Sequence, residues 1–125
     1  MKVVKLTYMP LIQGIYFFIT LAWPVIDIES FMKVTGLKTD IWLVKTVSVL
    51  LLPYSIICFW AGLNFQRISK LIIATMVLTC LGLAFVEFYY YFNGTIKWVY
   101  ATDGVLQILF SIWWINLGLK KFQNN

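Results

Sequence analysis

Four uninterrupted apolar runs, each long enough to cross a bilayer, decide what this 125-residue chain can fold into. They cover residues 8–26, 40–62, 69–92 and 99–119. A helix rises 1.5 Å per residue, so about 20 residues bridge a hydrocarbon core about 30 Å thick. None of the runs alternates polar and apolar residues with period two, which argues against a β-barrel. Soluble domains carry about 25% charged residues. This chain carries 12%, against 62% hydrophobic, more apolar surface than a soluble fold of its size can hide. The expected fold is all-α: a polytopic membrane protein forming one four-transmembrane-helix bundle over residues 1–125, with the lipid bilayer as its first partner.

The prolines fit this reading. Pro10 and Pro24 fall near the ends of the first run, where proline does little damage. Pro53 lies inside the second run, which predicts a kink near Val49. Lys2 and Lys5 precede the first run as in a signal peptide. No small-residue cleavage site follows it, so it is read as a span.

Lysine and arginine set the orientation. Lys2, Lys5, Arg67, Lys70, Lys120 and Lys121 flank one side, and Lys33, Lys38, Lys45 and Lys97 the other. Six against four places both termini in the cytoplasm of a cell inner (plasma) membrane. Trp23, Trp42 and Trp98 are expected at the outer interface, and Tyr8, Trp60 and Trp114 toward the inner one. In the first outer loop, Ser30 to Val34 reads as a short surface helix capped by Gly36. Thr39 is the expected N-cap of the second span, which opens at Asp40. Gly36, Thr39 and Asp40 are thus structural loop residues.

Three charges lie within the spans, where each costs about 2.5–3.5 kcal/mol at the bilayer centre. Lys45, Glu87 and Asp103 all fall roughly 6–8 Å below the outer boundary by helical rise. Lys45 leans outward and has the option of snorkelling to water. Asp103 has the option of a first-turn position if Thr102 caps the fourth helix. Glu87 leans toward the bilayer centre and shares a face with Cys80 and Ala84, a small-residue seam suited to close packing. Its alternatives are a pocket carboxylate and a protonated, hydrogen-bonded structural group. Gln107 lies one turn inward of Asp103, and Ser48 lies near Lys45. Together the five residues Lys45, Ser48, Glu87, Asp103 and Gln107 are expected to form a polar pocket in the outer half of the bundle, binding or passing a small ligand or ion. Gln13 and Thr20 are expected to hydrogen-bond between helices.

Several function classes are disfavoured. The net charge of +5 comes from scattered pairs, not a stripe or arm, so no nucleic-acid partner is expected. There is no histidine, and Cys58 and Cys80 sit at different depths, which argues against a disulfide. No metal constellation, cofactor motif or nucleophile–base pair is present, so the chain reads as no enzyme. The alternative to a pocket protein is an accessory or assembly subunit packing against a larger membrane partner. Transport by four helices would call for a homo-oligomer. A spacing of 58 residues relates Glu29 to Glu87, Gly36 to Gly94 and Lys45 to Asp103, a faint parallel repeat.

The stretch Thr35-Gly36-Leu37-Lys38-Thr39-Asp40-Ile41-Trp42-Leu43-Val44 resembles a motif, T-G-P-K-T-D-x-W-L-V, of small uncharacterised bacterial four-helix inner-membrane proteins. Leu37 departs from it where the family has proline, which leaves the turn less rigid. Glu87 and the segment from Tyr100 to Asp103 are similar as well. The resemblance implies a bacterial inner membrane and brings no activity with it.

Overall fold

A computed structural model describes residues 8–122 of the protein. Among them are five α-helices and no strand: α1 (Tyr8–Ile26), α2 (Ile28–Thr35), α3 (Ile41–Leu63), α4 (Lys70–Phe92) and α5 (Trp98–Phe122). A single 3-10 turn, Phe65–Arg67, follows α3. Helices α1, α3 and α4 are long and apolar enough to cross a membrane. Helix α5 has the length, 25 residues, but is less apolar because Asp103, Gln107 and Ser111 interrupt it. The four expected runs therefore all become helices, and three of them have the character of a span.

The exposed surface has the composition expected of groups that face lipid. On α4, Leu71, Leu78, Phe85 and Phe92 recur every seventh residue and are 76%, 72%, 71% and 77% exposed. A water-soluble monomer does not display such a stripe. The opposite stripe of the same helix, Ile73, Met76, Cys80, Ala84 and Glu87, is buried.

The chain divides into two compact units, residues 1–68 and 69–125. In the first, α1 packs against α3, and α2 folds back on α1. Gly14 allows the close approach. A Cβ there would stand 3.2 Å from Cys58 Cβ and 3.2 Å from the Phe59 ring. With the backbones this near, Ser55 Oγ donates to the Gly14 carbonyl oxygen at 2.9 Å. In the second unit, α4 packs against α5. Gly104 sits under Phe88, and Gly118 under Ile73. Those two contacts run in opposite order along the two helices, so the pair is antiparallel.

The helix ends differ in detail from the expectations. The surface helix is longer than Ser30–Val34, because Asp27 starts it one turn earlier. The Ser30 N–H donates to Asp27 Oδ1 at 3.2 Å, an N-cap. Gly36 ends the helix as expected, at φ 105°, with its N–H donating to the Met32 carbonyl at 2.8 Å. The N-cap of α3 is Asp40, not Thr39, and Asp40 serves through its backbone carbonyl alone. Helix α5 begins at Trp98, so Thr102 is inside it and does not cap it. Thr20 does not reach another helix; its hydroxyl donates to the Tyr16 carbonyl one turn back, at 2.8 Å. Trp114, expected near the inner interface, is fully buried.

Candidate functional site

The residues expected to form one pocket are divided between the two units. Lys45 and Ser48 belong to α3. Lys45 is exposed, whereas Ser48 is buried and donates to the Val44 carbonyl at 3.2 Å, a bond that satisfies it within its own helix. Glu87, Asp103 and Gln107 belong to the second unit, and these three come together there.

The two glycine contacts give the register of the pair. Phe88 lies over Gly104 and Ile73 over Gly118, so Glu87 is level with positions 104–105 of α5. At 1.5 Å per residue, Asp103 and Gln107 are each within roughly 5 Å of that level. The side on which they lie follows from helical periodicity. On α4, Ala84 and Phe88 face α5, with Phe85 on one flank and Glu87 on the other. On α5, Gly104 faces α4, with Ile108 on one flank and Asp103 and Gln107 on the other. Phe85, Phe88 and Ile108 line a single apolar groove of about 360 Å³. Glu87, Asp103 and Gln107 therefore share the opposite flank, at one level.

Their hydrogen bonding is incomplete. The Gln107 side-chain amide bonds the Asp103 carboxylate, one helical turn back. That contact uses the amide N–H, so the Gln107 carbonyl oxygen is held beside the same carboxylate. Gln107 is 1% exposed and its Oε1 has no hydrogen-bond donor. Glu87 is 8% exposed and its Oε2 has none either. Among the described residues these are the two buried side-chain atoms left without a partner. Buried polar groups are nearly always paired, and the cost of leaving one unpaired is highest where water cannot reach it. The set consists of oxygen acceptors that lack donors. Further inward along α5, Ser111 is buried too, but its hydroxyl donates to the Ile108 carbonyl at 2.7 Å.

Two buried polar positions escaped the sequence reading: Ser55 of α3 and Ser111 of α5. Neither shows a signal in the sequence, since serine is common in apolar helices and only the packing partner shows which one is buried. Gln13 of α1, singled out for interhelical bonding, is fully buried. Cys58 and Cys80 are free thiols, both buried. Comparison with family models, with curated proteins and with solved structures finds no match for this chain.

Proposed function

We propose that this is a four-span protein of a bacterial inner (plasma) membrane whose second unit handles a small ligand or ion at Glu87, Asp103 and Gln107. In this reading α5 is the fourth span. Its 25 residues suffice for a crossing, and its polar positions lie mainly on the buried stripe of Gly104, Gln107 and Ser111. An even number of spans, with the six-to-four lysine and arginine bias, puts both termini in the cytoplasm. Ionisable residues inside a membrane mark functional sites by default.

The observation that carries the reading is the buried, unpartnered Glu87 Oε2 on a helix apolar enough to span. A carboxylate kept only for packing finds a donor; this one faces a second unsatisfied acceptor at the same level of the helix pair. Two experiments test the reading. Reporter fusions at Gly36 and Asn125 should be active outside and inside the membrane respectively, and a periplasmic-active fusion at Asn125 would refute the topology. Native mass spectrometry of the full chain from mild detergent should show bound small-molecule or ion mass that Glu87→Gln loses. Identical spectra for the two proteins would refute the site.

A further inference from the structure

The donor deficit of the second unit also indicates the class of ligand. It rests on the site proposed above and deepens that reading. Three acceptors lie within one turn of each other on one flank of α4–α5: Glu87 Oε2, the Asp103 carboxylate and Gln107 Oε1. Two of the three residues are more than nine-tenths buried, and their named atoms have no donor. Because the Gln107 amide is tethered to Asp103, its free carbonyl oxygen is aimed into the carboxylate cluster rather than away from it.

Within this unit the basic side chains are Lys70, Lys97, Lys120 and Lys121. Lys70, Lys120 and Lys121 lie at the far end of the pair, more than ten residues along either helix from the cluster. Lys97 is exposed and precedes α5. None of them can lower a charge into the acceptor set. Among the described residues, no group of three histidine, cysteine, aspartate or glutamate side chains is placed to hold a metal ion. The donor set is instead hard oxygen, two carboxyl groups and an amide carbonyl, which suits a weakly coordinated monovalent cation better than a transition metal.

We infer that Glu87, Asp103 and Gln107 form a binding site for a small monovalent cation, which supplies the positive charge and the contacts that Glu87 Oε2 and Gln107 Oε1 lack. An alkali ion would be coordinated by the oxygens. An ammonium ion would donate hydrogen bonds to the same atoms. The shared requirement is a single positive charge small enough to enter between two packed helices.

The test uses the full chain in lipid nanodiscs at constant ionic strength, with N-methylglucamine chloride as background. That cation is too large for the site. Sodium, potassium and ammonium chloride are then titrated in separately, and the melting temperature is followed. Anything that binds only the folded state stabilises it by mass action. A bound cation at about tenfold over its Kd raises Tm by about 5–10 °C. The arm that responds names the ion: sodium or potassium for coordination, ammonium for hydrogen bonding. Glu87→Gln and Asp103→Asn should each abolish the rise, whereas Glu29→Gln, on exposed α2, should keep it. Both site variants are near-isosteric, and their Tm in N-methylglucamine alone reports whether they fold. A flat response in all three arms overturns the cation inference, as does a response that survives in both site variants. If the response is flat but Glu87→Gln still loses a ligand in native mass spectrometry, the cation inference fails and the site stands. If that mass is also unchanged, both fall.

Discussion

The two units solve the same problem, burying polar atoms in a helix pair, in opposite ways. In the first, the buried serines are satisfied: Ser55 reaches across to the Gly14 carbonyl, and Ser48 bonds back to Val44. In the second, Glu87 and Gln107 are buried to a similar degree, yet each keeps an oxygen without a donor. A satisfied interhelical bond contributes about 0.6–1 kcal/mol and locks a register. An unsatisfied acceptor costs stability, so a chain that keeps two at one level has a use for them. The first unit is built for rigidity and the second for chemistry. Their backbones differ as well. Helix α4 runs unbroken for 23 residues, whereas the corresponding stretch of the first unit is divided at Asp27 into α1 and α2. The faint repeat survives in backbone shape, since Gly36 and Gly94 both adopt positive φ just before the second long helix of their units. It does not survive in chemistry. Glu29 is exposed where Glu87 is buried, and Lys45 is exposed where Asp103 is partly buried.

The largest effect expected from this contrast is at Gly14. Gly14→Leu forces a side chain into Cys58 and Phe59, and overpacking of that kind costs about 2–3 kcal/mol. Chemical denaturation in mixed micelles should show that loss; a stable Gly14→Leu protein would mean that the first unit is not held by close backbone approach. Gly36→Val comes next. Its φ of 105° is outside the range that a β-branched residue tolerates, and the strain costs about 1–3 kcal/mol. A drop in folded yield measures it, and an unchanged yield would remove the C-cap role.

The sharpest comparison sets Ser55→Ala beside Glu87→Gln, both without small cations. The first deletes a buried hydrogen bond and should cost about 0.6–1 kcal/mol. The second replaces an unpartnered oxygen with a donor-bearing amide of the same shape and should stay within about 0.5 kcal/mol of the parent, in the stabilising direction. If Glu87→Gln is as damaging as Ser55→Ala, the carboxylate has a structural partner and the contrast between the units fails. The smallest effect is at Thr39. It caps nothing, so Thr39→Ala should change stability by less than about 0.5 kcal/mol, while Asp27→Ala loses a cap worth about 1 kcal/mol. Equal effects from these two would return the capping role to Thr39.

Much of this architecture was legible in the residue order. The bounds of α1, the start of α4 behind Ser69 and the Gly36 cap follow from apolar run length and cap chemistry, which act over a few neighbouring residues. The same holds for the buried seam of Cys80, Ala84 and Glu87, because helical period alone places those residues on one face. Lengths and faces are local properties, fixed by 1.5 Å of rise and 3.6 residues per turn. What only the tertiary structure decided is which of several equivalent polar residues meets a partner. Ser48 and Ser55 look alike in sequence, yet only Ser55 reaches another helix, because Gly14 lets the two backbones approach. Lys45 and Glu87 share a depth, yet one is exposed and the other buried. Depth is set by position along one helix. Burial and hydrogen-bond satisfaction are set by the rotation and spacing of two, and those depend on contacts between residues far apart in the chain.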